Sequence, residues 1–465
     1  MVNPKIFCII NREGLILTPQ ENSMTQQTLG GTLTAGHRRW RLSGSVLVIA
    51  AIPLLAGSLS LWAQDTPQQT SPPPGSPPHP PSEATIPTDA QTAAHLDIYG
   101  FAMLDTGYDF KQNDPNWYDV VRPSKLPSYT DQFGANGNWY AGVRQSRLGF
   151  KGYVPTSLGE LKTIFEFELF GTGVDAGQTT FRLRHAWGEI WKIGGGQTWS
   201  TFMDPDVFPN SVEYWGPNGV IWYRNVQVRF TAWSKGDSNV MIAAERPGAS
   251  ADQGVYADRI ELQGVKPHFP APDISGHVRW AGKAGHVQVA GIYRRIEWTD
   301  LNATPTRDLS GHANGWGFNV GSAVNLSKHV LRMQAVYGDG VENYMNDAPA
   351  DIGIVNNFSN TKTPIYGQAL PALGLTAFLD LNWSKKFTST IGYSRVNISN
   401  TDGDSSTSFK SGQYALCNIL YYPVKGAMLG PEFQFGYREN KGGFTVPDYR
   451  IQFSMRYNFS FKVGG

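Results

Sequence analysis

The chain of 465 residues carries 39 Lys+Arg against 38 Asp+Glu, a formal charge of +1. That balance excludes the basic surplus of a nucleic-acid binder. Charged residues make up only 17% while aromatics reach 12%, against about a quarter charged in an ordinary soluble domain. The mean hydropathy of −0.31 excludes a bundle of membrane helices, but not a barrel that shows lipid only every second residue.

The first element is a leader. Ser45–Trp62 (SVLVIAAIPLLAGSLSLW) follows the basic cluster His37-Arg38-Arg39-Trp40-Arg41 and precedes Ala63-Gln64-Asp65. A charged start, a short apolar centre and a small residue before a polar tail read as a secretory signal peptide. A membrane-spanning helix needs roughly 20 unbroken apolar residues, and Pro53 interrupts this run. Residues 1–63 are therefore expected to be removed, with Met24 an alternative start. Cys8 goes with them. Cys417 then stands alone, which leaves no intramolecular disulfide and no cysteine metal site. Residues 64–94 contain TPQQTSPPPGSPPHPPSEATIP, which cannot bury a core and reads as a periplasmic spacer.

Residues 95–465 read as one barrel domain. The expected strands are His95–Phe110, Tyr140–Val154, Glu160–Gly171, Thr179–Ile193, Gly196–Phe202, Tyr223–Trp233 and Asn239–Arg246. A weaker candidate, Ala257–Val265, follows. Then come Ile274–Ala281, His286–Trp298, Asn314–Leu326, Val330–Gly338, Leu373–Trp383, Thr388–Ser399, Gln413–Val424 and Ala427–Arg438. The set closes with Asp448–Phe461, DYRIQFSMRYNFSF. Here Ile451, Phe453, Met455, Tyr457, Phe459 and Phe461 fall on one face, and Arg450, Gln452, Ser454, Arg456, Asn458 and Ser460 on the other. Successive side chains of a strand point to opposite faces. Tight turns alternate with long loops, the outer-membrane pattern of short periplasmic turns and longer extracellular loops. The fold class is all-β: a transmembrane antiparallel β-barrel of about sixteen strands. Its last strand should pair with its first.

Several stretches carry a family resemblance: Leu96–Gly107 (LDIYGFAMLDTG), Arg144–Gly152 (RQSRLGFKG), Phe181–Glu189 (FRLRHAWGE) and, most specifically, Gly196–Pro209 (GQTWSTFMDPDVFP). With them the chain resembles the DcaP-like outer-membrane porins of Gram-negative bacteria, over about His95 to Phe461. The resemblance implies a sixteen-stranded homotrimeric diffusion porin with a loop folded into its lumen, passing small anionic solutes such as dicarboxylates. The proline-rich spacer stands where family members commonly carry a coiled-coil-like extension. Lys462-Val463-Gly464-Gly465 follow the terminal aromatic that usually ends a porin.

Alternation assigns the lumen side chains: Arg147, Lys151, Arg182, Arg184, Arg229, Arg279, Arg294, Arg332, Arg438, Arg450 and Arg456. On the lipid side each would cost about 2–4 kcal/mol at mid-membrane. Arginine's fixed fork suits carboxylate oxygens, and rings of Arg and Lys favour anions. The same arginines could instead pair with Glu166, Glu168 and Glu432 as wall scaffolding. The loop 203–221 (MDPDVFPNSVEYWGPNGVI) is the expected constriction loop. Its Asp204, Asp206 and Glu213 would face the wall arginines and set up a transverse field. A calcium site at Asp204 and Asp206 has too few ligands. Trp139, Trp191, Trp280 and Trp383 near strand ends fit aromatic girdles facing outer-membrane lipid.

No cofactor or metal is expected: the histidines lack metal spacing and Gly194-Gly195-Gly196 lacks the residues of a phosphate cradle. No nucleophile elbow is present, and no catalytic role is assigned. The expected function is an outer-membrane porin for passive diffusion of small anionic solutes through an arginine-lined pore. The alternatives are a sugar-selective channel with an aromatic slide and, less favoured, a barrel hydrolase.

Overall fold

The computed structural model describes residues 93–464; the expected signal peptide and almost all of the spacer lie outside them. Antiparallel strands follow one another in chain order. They are β1 (His95–Asp109), β2 (Asn138–Gly142 and Arg147–Thr156), β3 (Gly159–Phe170), β4 (Thr179–Ile190), β5 (Ile193–Trp199), β6 (Arg224–Lys235), β7 (Ser238–Glu245) and β8 (Asp273–Gly282). The second half is β9 (Gly285–Asp300), β10 (Gly311–Leu326), β11 (His329–Asp339), β12 (Pro371–Asn382), β13 (Phe387–Ile398), β14 (Phe409–Asn418, then Leu420–Tyr421), β15 (Ala427–Asn440) and β16 (Thr445–Gly464). Each pairs with its neighbour, and β1 pairs with β16 from His95↔Gly464 to Asp109↔Arg450. The sheet is therefore a closed sixteen-stranded barrel with no free edge, the one way a sheet satisfies every backbone group in lipid. Among the described residues no helix is long and apolar enough to cross a membrane.

Alternation decides which face is which. Along β16, Asp448, Arg450, Gln452, Ser454 and Arg456 are buried while Tyr449, Ile451 and Tyr457 are exposed. Trp233, Trp280 and Trp383 sit outward at the tight-turn end and Trp139 outward at the other, while Trp191, in the turn after β4, borders a lumen cavity. The weak candidate Ala257–Val265 is not a barrel strand. It holds a helical turn, Ile260–Gln263, before a short strand, Val265–His268, that caps the end of β9. The extra residues serve a loop.

Seven tight turns lie at one end. The other end carries L1 (110–137), L2 (171–178), L3 (200–223), L4 (246–272), L5 (301–310), L6 (340–370), L7 (399–408) and L8 (441–444). L6 contains its own hairpin, Ile352–Asn356 with Ile365–Ala369.

L3 folds inward along the wall. A Cβ on Gly374 of β12 would lie 2.2 Å from the Gly219 oxygen, and one on Gly219 would lie 2.3 Å from the Arg395 oxygen. The loop backbone therefore lies flush on the wall only because both positions are glycine. Its apolar side chains, Phe202, Met203 and Ile221, join Val341, Tyr344, Met345 and Val396 in the largest buried cluster. The core of this barrel is thus L3 packed against L6 and the wall.

Candidate functional site

L3 walks round one arc of the lumen and bonds to successive strands. Asp204 takes Arg279 Nη1 of β8 at 3.1 Å and His286 Nε2 of β9 at 2.7 Å, and Arg279 also reaches Asp206. Arg332 of β11 donates to the Asp206 carbonyl. The Asn210 amide donates to Asp380 of β12 (3.2 Å), and its carbonyl accepts from Thr390 of β13 (3.1 Å) and Asn418 of β14 (2.7 Å). The Val212 amide donates to Glu432 of β15 at 3.0 Å, and its carbonyl accepts from Gln452 of β16 at 3.1 Å. L3 thereby covers the inner face from β8 to β16.

The opposite arc, β2 to β7, is covered less: Tyr214 of L3 donates to Glu168 and accepts from Arg182 (3.1 Å), and Ser200 donates to Glu245 (2.6 Å). This arc borders a cavity of about 480 Å³ lined by Lys151, Tyr153, Lys162, His185, Trp187, Glu189 and Arg229. Above the cavity, Arg184 bonds Glu166 (2.5 Å) and Glu168 (2.6 Å). Arg147 lies 3.6 and 3.5 Å from the same two carboxylates, and Arg182 and Arg224 lie 3.5 and 3.7 Å from Glu168. Four guanidinium groups surround two carboxylates, so the cluster carries surplus positive charge. Arg182 and Arg147 are its exposed members, at 30% and 18% side-chain exposure, against 5% for Arg184. A bulge in β4 opposite Glu166 and Phe167 turns both Arg184 and His185 inward.

The remaining lumen arginines are engaged by the wall or its loops. Arg294 is fully buried between Asp273 (3.0 Å) and Asp351 (2.7 Å). Arg332 pairs with Asp380 at 2.6 Å and Arg450 with Asp109 at 3.3 Å. Arg229 lies 3.6 Å from Glu189 and 4.6 Å from the Trp187 ring centre. Arg438 donates to the carbonyls of Ser124, Leu126 and Thr407. Lys151 lies 5.1 Å from the Tyr99 ring centre and Arg456 lies 5.6 Å from that of Phe101.

The three loop carboxyls are anchors. Burial pushes the Asp204 carboxyl up, but its bonds to His286 and Arg279 hold it below the ordinary range. Burial pushes the fully enclosed Glu213 carboxyl up to about 7, where it accepts from the Gly216 and Val121 amides. Asp204, Asp206 and His286 could jointly offer three metal-ligand atoms. Arg279 already bonds both aspartates, and His286 bonds Asp204, so these side chains partner one another.

Three further arginines enter from places alternation does not describe. Arg144 sits in the break between the halves of β2, buried against Asp119 (2.6 Å) and 3.8 Å from the Phe170 ring centre. Arg122 of L1 lies over the Trp117 and Trp215 rings, which meet edge to face, and bonds Asp347 of L6 at 3.0 Å. Arg224 begins β6, where the strand leaves the loop. The paired Trp-rich stretches of L1 and L3, NDPNWY and VEYWGP, were the available signal for the Arg122 junction.

Residues 81–283 match the model of the DcaP outer membrane protein family. Over that stretch the chain is similar to the DcaP outer membrane proteins, and its closed sixteen-stranded barrel is the fold of outer-membrane porins. Its fold is similar to that of the outer membrane channel DcaP of Acinetobacter baumannii, with 18% identity, a TM-score of 0.66, and coverage of 80% of this chain and 99% of that one. It is also similar to an anion-selective porin from Comamonas acidovorans, with 10% identity, a TM-score of 0.50, and coverage of 79% and 100%. Comparison with curated protein sequences gives no match. The similarity is to channels, and the lumen of this barrel is narrowed by L3.

Proposed function

We propose that this DcaP-like porin passes small hydrophilic anions, carboxylates among them, by passive diffusion down their gradient. One observation carries the reading: the less covered arc holds Arg147, Arg182, Arg184 and Arg224 around only Glu166 and Glu168. L3 fills the opposite arc and meets this cluster through Tyr214, which leaves Arg147 and Arg182 partly exposed for a passing solute. Uncompensated charge on low-dielectric walls concentrates counter-ions. The arginines remain charged at every relevant pH, so the preference is built in. L3 sets the size limit. The anion selectivity of the Comamonas porin of similar fold agrees with this reading. The mature protein resides in the outer membrane as a homotrimer, delivered by the leader in residues 1–63.

Reversal potentials in planar bilayers under a potassium chloride gradient test it. The unmodified protein is expected to prefer chloride. Changing Arg147→Gln and Arg182→Gln together removes the exposed half of the cluster and should bring the permeability ratio toward unity. A preference for potassium in the unmodified protein would sink the reading.

A further inference from the structure

Two inward aromatic residues stand two positions apart on β1, Tyr99 and Phe101, and each is covered by cations from a neighbouring strand. Lys151 of β2 lies 5.1 Å from the Tyr99 ring centre. Arg147 of β2 and Arg456 of β16 lie 5.2 and 5.6 Å from the Phe101 ring centre, one from each side of β1. Register fixes this: Phe101 is opposite Arg147, and Met103 is opposite Arg456.

The carboxylates nearby are already spent. Glu166 accepts from Tyr99 Oη at 2.7 Å and from Arg184 Nε at 2.5 Å. Asp105 accepts from Ser454 (2.6 Å), Gln452 (3.1 Å) and Gln145 (3.0 Å). Asp97 stands opposite Lys151 in the ladder without closing an ion pair. Among the described residues neither Lys151 nor Arg456 has a carboxylate within ion-pair distance. Arg456 is only 9% exposed, and its Nε has no acceptor. A guanidinium taken this far out of water without a counter-charge is costly. A ring face repays part of that cost, but it accepts none of the fork's hydrogen bonds.

We propose that Lys151, Arg147 and Arg456 form a saturable oxyanion-binding site over Tyr99 and Phe101. Its ligand is the carboxylate or phosphate group of a small solute. This rests on the anion-passing reading and deepens it: the porin holds its solute at one place on the wall. The aromatic floor orients the cations, and the passing anion supplies the missing acceptors.

The test is block of chloride current in planar bilayers by acetate, succinate and inorganic phosphate. The unmodified protein should show block that saturates with concentration. Arg456→Gln should raise the half-blocking concentration about tenfold, the effect of losing one charge-assisted hydrogen bond. Lys151→Gln, less enclosed and so safer for assembly, should raise it in the same direction. Lys410→Gln, on a side chain 49% exposed outside the lumen, should not. Absence of saturation in a chloride-preferring pore, or an unchanged half-blocking concentration in whichever of the two variants assembles, overturns the site and leaves the selectivity reading standing. Preference for potassium in the unmodified protein overturns both.

Discussion

The two arcs of the lumen use the same residue type for opposite ends. On the β8–β16 arc each inward arginine except Arg456 is engaged by a carboxylate or a loop carbonyl. Arg279, Arg294, Arg332 and Arg450 hold Asp204, Asp273, Asp380 and Asp109, and Arg438 holds the carbonyls of L1. On the β2–β6 arc four arginines share two glutamates, and the outermost reach the lumen. The first arrangement fastens loops to a wall; the second leaves charge for a solute. An inward arginine is therefore not by itself a selectivity residue. The ratio of cations to carboxylates within reach, and the exposure left after pairing, decide its work.

The sharpest way to break that distinction is to remove one arginine of each kind. Arg294→Ala leaves Asp273 and Asp351 buried without their cation. Breaking a buried pair from one side costs about 3–5 kcal/mol. L4 and L6 both lose an anchor, because Arg294 also donates to the Gly248 and Gly340 carbonyls. The expected result is a large drop in the temperature at which the folded barrel unfolds in detergent, read from gel mobility before and after heating. Arg182→Ala removes the most exposed of the four cations around a Glu168 that keeps Arg184, Arg147 and Arg224, so it should cost less than Arg294→Ala and should move the reversal potential. If Arg182→Ala destabilises as much as Arg294→Ala, the division between the arcs fails.

Much of the fold was legible because a barrel repeats one rule sixteen times. Arg450 and Arg456 fall inward in DYRIQFSMRYNFSF by alternation alone, and the closing strand pairs with His95–Asp109 through the whole of β1. Alternation fails where the ladder is interrupted. The break at residues 143–146 turns Arg144 inward, and the bulge in β4 lets Arg184 and His185 share a face. Pairing was legible only in part: Glu166 and Glu168 stand out as partners for wall arginines, and Asp204 and Asp206 as carboxylates facing them. Asp347, which fixes Arg122, is 225 residues away from it in sequence, and no local pattern announces such a partner. The placement of loop 203–221 followed from its position after the fifth strand. That Asp204 and Glu213 hold the loop down depends on wall residues contributed by separate strands.

A smaller effect is expected at the start of L3. Arg279→Ala removes the cation bridging Asp204 and Asp206 but leaves His286, Arg332 and the bonds from Asn210 to Val212 in place. The first turn of the loop should loosen while the rest stays seated. Single-channel records should then show more frequent conductance steps with little change in mean conductance. A closed or unfolded channel would mean that Arg279 carries the barrel rather than the loop.

The smallest effect, and the one that separates the two ends of L3, is its response to pH. The Asp204 carboxyl is held charged by its partners, so it should not itself titrate across the neutral range. Glu213 lies at the other end, buried, with its carboxyl raised from 4.5 to about 7. A carboxyl raised on folding stabilises the folded form most below its unfolded value, and that contribution is lost as pH rises through the folded value. Stability assigned to Glu213 should therefore be complete near pH 4.5, decline toward pH 7 and be absent above it. The neutral acid needs no counter-charge beside Glu432 and Tyr414, whereas the carboxylate does. Limited proteolysis of L3 should thus accelerate between about pH 5 and about pH 8. Glu213→Gln, which keeps the shape and cannot ionise, should flatten that dependence at the slow, acid-side rate. A Glu213→Gln protein that keeps the full pH dependence would assign it to another loop carboxyl, and Glu342 of L6, also buried and raised, would be the next to change.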